Sequence, residues 1–198
     1  PLTLASPRGL VPVANRPLIA YVLMALKEAG VTEVAICANG HTGTLRRALG
    51  EQAMGLRLHF FQDTMPRGPA GCARDAAALM GADEFIVIEG ALLPDIDIRE
   101  MVTAHMESGA ALTVGVDRSV PPEQWSEGAS PRILGVYMFS AAALPFIPRQ
   151  GYQCIKEQLI PKLHKAGQRV KACGLGGAAP RVSGPESYLS VNSWALNQ

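Results

Sequence analysis

The sequence has little cysteine, almost no net charge and no long apolar run, and each of these absences excludes a class of protein. Its 198 residues carry a formal net charge of +1, which is too small a field to imply nucleic acid or an anionic membrane as a partner. No apolar run approaches the roughly 20 residues of a membrane span, and no secretory apolar region is present. We therefore expect a soluble, cytoplasmic protein with no nucleic-acid and no membrane partner.

Cysteine and histidine are too scattered to predict a metal centre. The four cysteines form no C-x-x-C pair, and no histidine stands at zinc-ligand spacing from them. The four histidines are also far apart in the sequence, and a lone histidine is more often structural than catalytic. We expect the cysteines to be buried as small hydrophobic residues, and we assign chemistry to none of these side chains.

The residues that are present predict helices and strands in alternation around a full hydrophobic core. Apolar residues make up 48% of the 198 positions, enough for one globular domain. The predicted elements are helix 16–30, strand 31–38, helix 42–50, strand 56–61, helix 70–80, strand 85–89, helix 97–108, strand 111–116, a polar loop 117–132, strand 133–140, helix 152–167 with Pro161 inside it, strand 168–175 and helix 184–198. This order predicts a Rossmann-like three-layer α/β/α sandwich with a mostly parallel mixed sheet. The strands ending at residues 38, 61 and 89 are expected to line one crevice.

The start of the helix at residue 97 has a specific capping signal. Asp97 is followed three residues later by Glu100, which is the spacing of a capping box with aspartate in the serine or threonine role. We expect the Asp97 carboxylate to hold the first backbone amides of this helix, which is a structural role.

Several segments follow one another in an order typical of one enzyme family. They read "PLTLASPRGLVPVANRPL", "QDTMPRGPAGCARDAA", "FIVIEGALLPDID", "GVYMFS", "LIPKLHKAGQRV" and "GPESYLSVNSWAL". Together they resemble the sugar-1-phosphate nucleotidyltransferases (NDP-sugar pyrophosphorylases), which make NDP-sugars from an NTP and a sugar 1-phosphate. The resemblance implies the nucleotide-diphospho-sugar transferase fold in a single domain over residues 1–198. Since Pro1 falls where the family's glycine-rich loop ends, we expect the first strand and that loop to be lacking from this chain.

The resemblance also implies a set of site residues. Arg8 stands in place of the lysine in the family's P-K-P-L segment and is the candidate catalytic residue, although arginine and lysine are not interchangeable at a fitted site. The candidate nucleotide-binding residues are Gln62, Gly68, Ala70, Gly71 and Gly90. Gln62 is suited to hydrogen-bond a base edge, and the small residues at 68–71 allow close approach of the backbone before a helix N-terminus. A glycine-rich turn between a strand and a helix explains residues 68–71 equally well.

The family's magnesium site is the part that this sequence departs from most. The aspartate of the family's N-G-D loop falls on Ala91, and the aspartate of its W-x-D-I-G segment falls on Arg181. A methyl group cannot ligate a cation that demands oxygen donors, and a guanidinium repels it. Glu89 precedes the glycine of the loop, but its place at a strand end directs it differently. Mg²⁺ is expected for the family, yet we expect no metal and no cofactor here.

Three functional hypotheses remain. The first is a catalytically impaired nucleotidyltransferase homologue that binds a nucleotide or nucleotide-sugar, or that acts as a subunit of a homo- or hetero-oligomer. The alternative is an active nucleotidyltransferase whose N-terminal loop is missing from this chain. The third is a glycosyltransferase that holds a metal with Asp95 and Asp97, which have D-x-D spacing. Ala91 and Arg181 favour the first hypothesis, because an added N-terminus does not restore the metal ligands.

Overall fold

The computed structural model describes residues 7–62, 65–119 and 132–197, and its helices and strands follow the predicted order. In chain order they are β1 (Pro12–Val13), β2 (Arg16–Pro17), α1 (Leu18–Glu28), β3 (Glu33–Cys37), α2 (Thr42–Leu49), β4 (Gln52–Ala53), β5 (Leu56–Phe61), α3 (Gly68–Met80), β6 (Glu84–Ile88), α4 (Ile98–Ser108), β7 (Leu112–Asp117), β8 (Ile133–Ser140), α5 (Ile160–Lys165), β9 (Val170–Leu175) and α6 (Pro185–Leu196). Most of the loop predicted at 117–132 lies outside the described residues. Within the described ranges, no helix combines the length and the apolar composition needed to cross a membrane.

The helix predicted over residues 152–167 differs most from its prediction. A π-helical segment, Ile155–Leu159, comes first, and α5 begins directly after it at Ile160. Pro161 lies in the first turn of α5, where a missing backbone N–H costs no intrahelical hydrogen bond. Proline therefore marks the start of a second helix here, rather than a position inside one long helix.

The described elements form two compact units. The first unit comprises residues 1–64, 89–96 and 177–198, and the second comprises residues 65–88 and 97–176. The first unit contains the β1–β2 hairpin and a sheet in the order β3-β5-β4. Strands β3 and β5 run parallel with Cys37 opposite Phe61, so both strands end at the same edge of this sheet. Its core includes Leu23 and Leu56, each 1% exposed.

The second unit contains a sheet in the order β6-β8-β7-β9. Strand β8 runs antiparallel to both of its neighbours, whereas β7 and β9 run parallel. Six consecutive residues of β8, Leu134–Phe139, are buried, as expected for a strand covered on both faces. Tyr137, Phe139 and Leu112 are fully buried at the centre of this core.

The predicted α/β class is confirmed, and the strand pairing is mixed. Antiparallel pairing is more frequent than the sequence predicted, because β8 inserts antiparallel between β6 and β7. The hydrophobic pattern of a central strand such as "ILGVYMFS" is nearly continuous in either orientation, so the pattern does not specify strand direction.

His105 and Cys173 have the structural roles expected for isolated residues of these types. His105 is 2% exposed, and its ring nitrogens lie 2.7 Å from Thr113 Oγ1 and 2.9 Å from Glu84 Oε2. The ring thus ties α4 to β7 and β6. Burial raises the pKa of the Cys173 thiol, which packs as a small hydrophobic residue, while the other cysteines are half-buried.

The predicted cap of α4 is present, but the reciprocal half of the capping box is not. Asp97 Oδ1 accepts a 2.9 Å hydrogen bond from the Arg99 backbone amide. Glu100 instead forms an ion pair with Arg118, which is the first residue after β7. The helix end at Gly109 has φ +58, the left-handed conformation that glycine adopts most easily.

We expect Asp97→Ala to lower the free energy of unfolding by about 0.5–2 kcal/mol, because the substitution removes the acceptor for the Arg99 amide. Asp97→Asn keeps an acceptor and should cost less. Urea unfolding of the three proteins measures both differences. Equal losses for alanine and asparagine would show that the carboxylate charge, rather than the hydrogen bond, stabilises the helix.

Candidate functional site

In the first unit, two segments that are distant in sequence pair as a short backbone ladder. Residues 89–96 follow β6, and residues 177–182 follow β9. The ladder consists of the bridges Leu92↔Arg181 and Asp95↔Ala178, with hydrogen bonds Leu93 N to Pro180 O, Asp95 N to Ala178 O, Ala178 N to Asp95 O and Val182 N to Ala91 O, all of 2.8–2.9 Å. The ladder brings the backbones of Ala91 and Arg181, the two positions at which the resemblance implies aspartates, onto neighbouring rungs, since Arg181 is opposite Leu92 and Val182 N bonds to Ala91 O.

An ion pair lies on this ladder. Arg181 Nη1 donates to Glu89 Oε2, and both side chains are partly buried, with 35% of Arg181 and 23% of Glu89 exposed. Ala91, two residues after Glu89, is buried. Sequence reasoning recognised these three positions separately, but it did not find the ion pair, because the partners are 92 residues apart.

The side chains of this ladder do not fit a magnesium ion. Mg²⁺ requires oxygen ligands in octahedral geometry, whereas Ala91 offers a methyl group and Arg181 a cation. The Glu89 carboxylate is held by the guanidinium. No group of three or more His, Cys, Asp or Glu side chains suited to a metal occurs in the part of the chain that the structure describes. Asp97, one of the two carboxylates of the D-x-D hypothesis, caps α4, which is the structural role expected from the sequence.

Gly90 lies in the turn that opens the ladder. The Leu92 amide donates to Glu89 O at 3.1 Å, which closes the turn around Gly90. Gly90 is exposed, its φ is outside the left-handed region, and a Cβ built on it meets no heavy atom of the described residues within 4 Å. Neither backbone conformation nor packing among the described residues therefore requires glycine here, which leaves this backbone open toward them.

The two other predicted site residues of the first unit are exposed. Arg8 begins a 3-10 turn, Arg8–Leu10. Gln62 directly follows β5, at the sheet edge where β3 also ends. The buried Thr42 hydroxyl donates to Phe61 O at 3.1 Å and fixes the strand end that precedes Gln62. A side chain at this position can meet a ligand at the carboxyl edge of the parallel strands.

In the second unit, the backbone around Gln153 approaches the start of α3 closely. Ala70 N donates to Gln153 O at 3.0 Å, and Gln153 N donates to Arg67 O at 2.8 Å. Gly68 has φ +71, and a Cβ there would lie 2.5 Å from Gln153 O. Gly68 thus has a reason within the chain itself, and Ala70 is fully buried beside it. A nucleotide contact by Gly68, Ala70 or Gly71 stays a prediction.

The position of the Arg67 side chain accounts for the glycine at position 71. Its Nε donates to Asp75 Oδ2 at 3.0 Å, and its Nη1 and Nη2 donate to the Gly151 and Pro148 carbonyls at 3.2 and 3.3 Å. A Cβ on Gly71 would lie 2.9 Å from the Arg67 Cβ. Arg67 and Gln153 were missed from the sequence, because nothing in "PRGPAG" signals a partner some 80 residues later.

Comparison with known proteins places these features in context. A model of the nucleotidyl transferase family matches residues 1–125. The mannose-1-phosphate guanylyltransferase catalytic subunit beta of Xenopus tropicalis is 27% identical over 214 residues, covering 96% of this chain and 59% of that protein. The curated relatives that the chain matches are longer: it spans 36% of one and 59% of another.

Solved structures share the fold. A Bacillus anthracis protein assigned as a glucose-1-phosphate thymidylyltransferase, crystallised with sucrose, has a TM-score of 0.84 at 18% identity, covering 100% of this chain and 90% of that one. A UDP-glucose pyrophosphorylase in complex with UDP-glucose has a TM-score of 0.78 at 14% identity, covering 96% and 90%. At these identities, the similarity shows the fold alone.

The contrast between Gly68 and Gly90 can be tested by alanine substitution. We expect Gly68→Ala to lower the free energy of unfolding by about 1–3 kcal/mol or more. Alanine is strained at a φ of +71, and its Cβ would collide with the Gln153 carbonyl oxygen. Gly90→Ala should stay within about 0.5 kcal/mol of the wild type, as an open surface position. Chemical denaturation measures both. A Gly68→Ala protein as stable as the wild type would contradict the close approach of Gln153.

Proposed function

Because the chain belongs to the nucleotidyl transferase family, we propose that it binds a nucleotide or nucleotide-sugar without efficient nucleotidyl transfer. The observation that carries this proposal is the pairing of Arg181 with Glu89, beside Ala91, where the family resemblance implies two metal-binding aspartates. The fold is that of the enzymes that make NDP-sugars, while the charges at this position differ from those that the resemblance implies. We also propose that the protein is cytoplasmic, as we expected from the sequence.

The chemistry of the family explains why this change matters. In the reaction implied by the resemblance, a sugar phosphate attacks the α-phosphorus of an NTP and expels pyrophosphate. Phosphoryl transfer of this kind gives the protein little covalent work, so the rate depends on positioning and on neutralising the charge that develops on the phosphates. Two carboxylates that would hold a divalent cation are replaced here by a methyl group and a guanidinium, so this part of the charge stabilisation is absent.

The first unit carries exposed residues suited to nucleotide binding, although the two metal-binding aspartates that the resemblance implies are replaced. Gln62 is exposed at the carboxyl edge of β3 and β5, where an amide can pair with a base edge. Gly90 leaves its backbone open, and Arg8 supplies an exposed positive charge. These features support nucleotide binding by the first unit. They do not depend on whether a glycine-rich loop precedes Pro1, and neither does the replacement of the aspartates.

A role in an assembly is consistent with the relatives. The Xenopus tropicalis relative is named as a catalytic subunit. A chain that keeps the fold and loses the metal ligands is suited to act beside an active subunit. We therefore propose that this protein works as a partner subunit in a homo- or hetero-oligomer, with its bound nucleotide or nucleotide-sugar as a signal.

We expect negligible pyrophosphorylase activity from this chain, and we expect that Ala91→Asp combined with Arg181→Asp does not create it. Groups that stabilise the same transition-state charge act as a unit, so restoring two of them leaves the triphosphate poorly held. The measurement is pyrophosphate release from each NTP with common hexose 1-phosphates.

The Xenopus tropicalis catalytic subunit serves as the positive control for this assay. Turnover by the wild-type chain in the ordinary enzyme range, about 1 to 10³ per second, would show that other residues stabilise the charge on the phosphates. The proposal that nucleotidyl transfer is impaired would then be wrong. Nucleotide binding is measured on the same preparation, so loss of folding is distinguished from loss of chemistry.

A further inference from the structure

The exchanges around the ladder form a consistent set. Where the family reads N-G-D, this chain reads Glu89-Gly90-Ala91, and where the family has a second aspartate, this chain has Arg181. The carboxylate of this loop stands two positions before Ala91, and it pairs with a cation that belongs to the chain.

We propose that Arg181 is the cation that contacts the phosphates of a bound nucleoside diphosphate or nucleotide-sugar, and that this binding requires no divalent metal ion. The inference rests on the proposed function, since it specifies how the same site recognises its ligand. It follows from the misfit between the ladder and Mg²⁺, and from the geometry of the guanidinium.

The guanidinium is suited to a second anion. It carries five N–H donors in a planar fork, and the hydrogen bond to Glu89 uses Nη1, so donors remain in reach of a phosphate. With 35% of the side chain exposed, solvent reaches the group, while its partial burial strengthens electrostatic contacts relative to open water. Bidentate binding of phosphate by arginine is a strong and geometrically specific contact.

The surroundings of Arg181 hold it in place. The ladder fixes its backbone, with Val182 N bonded to Ala91 O at 2.9 Å, and Glu89 fixes the guanidinium. The open backbone at Gly90 belongs to the same turn as Glu89, so a phosphate that reaches Arg181 meets no Cβ there. A preorganised donor loses less conformational entropy when the ligand binds.

Glu89 has two opposing effects on such a ligand. Its carboxylate orients the guanidinium, but its negative charge repels phosphate and competes for the same donors. Glu89→Gln keeps a hydrogen-bond acceptor of nearly the same shape and removes the charge. The substitution should therefore tighten nucleotide binding, which is the opposite of what a metal-ligating glutamate would do.

The test is isothermal titration calorimetry of the full chain with GDP, UDP and dTDP, each in EDTA and in millimolar Mg²⁺. We expect one of these nucleotides to bind the wild type with a Kd that differs by less than about threefold between the two buffers. Arg181→Gln should weaken binding about 10- to 100-fold, as expected for loss of hydrogen bonds to a charged group. Glu89→Gln should strengthen it. Inorganic pyrophosphate, titrated in parallel, separates recognition of the phosphates from recognition of the base.

Arg46→Gln is the matched control. Arg46 also lies in the first unit, pairs with Glu51 at 3.5 Å and lies over the Phe60 ring at 5.6 Å, so its loss removes one positive charge, one ion pair and this ring contact without touching the ladder. We expect its nucleotide affinity to equal that of the wild type. A thermal unfolding midpoint for each variant verifies folding, and if Arg181→Gln does not fold, the increase in affinity of Glu89→Gln decides the question.

The outcomes separate this inference from the proposed function. Binding that appears only with Mg²⁺, or that is unchanged in Arg181→Gln, overturns the role of Arg181 and leaves nucleotide binding intact. Weaker binding by Glu89→Gln also overturns it, because the amide oxygen of glutamine still accepts from the guanidinium and loss of the negative charge favours a phosphate. Absence of binding for all three nucleotides in both buffers overturns the proposed function itself.

Discussion

The first unit depends on the backbone ladder between residues 89–96 and 177–182. Residues 65–88 and 97–176, which form the second unit, separate the three chain segments of the first unit in sequence. Residues 89–96 and 177–198 are therefore held together by hydrogen bonds and packing, because they are not adjacent in the chain. At one end of the ladder, Gly177 has φ +91, and a Cβ there would lie 2.1 Å from Asp95 O. Glycine is required for this approach. At the other end, the Glu89–Arg181 ion pair adds a side-chain link.

The fold was largely predictable because its signals are local. Strand β5 has the predicted bounds of 56–61, and β8 has those of 133–140. Hydrophobic periodicity and glycine or proline at the element ends carry this information. Strand pairing was less predictable, because the direction of β8 is decided by which strands flank it. The short β1–β2 hairpin was missed, since Ala14 and Asn15 adopt positive φ without a glycine to signal the turn.

The candidate site shows the same division between local and distant information. The order of the motifs along the chain indicated the family and drew attention to Ala91 and Arg181. A motif shows that an expected residue is absent, but it does not show which residue contacts its replacement. The partner of Arg181 is 92 residues earlier in the chain, and the partner of Gly68 is Gln153. Glycines at 68 and 90 look alike in the sequence. The structure separates them, since the first is explained by packing within the chain and the second is not.

The charges of the ladder connect these observations to function. A divalent cation held by two aspartates and a guanidinium paired with one glutamate both sum to a formal charge of zero, so either arrangement can accept the phosphates of a nucleotide. They differ in what happens during a reaction. A bound metal can coordinate attacking and leaving oxygens and neutralise the charge that develops between them.

In the function that we propose, a guanidinium fixed by Glu89 and by the backbone of the ladder would offer nearly the same contact to the phosphates before and during transfer. Interactions that stabilise the ground state and the transition state equally give affinity without rate. We therefore expect an internal ion pair, in place of the two aspartates that the resemblance implies, to favour nucleotide binding over nucleotidyl transfer.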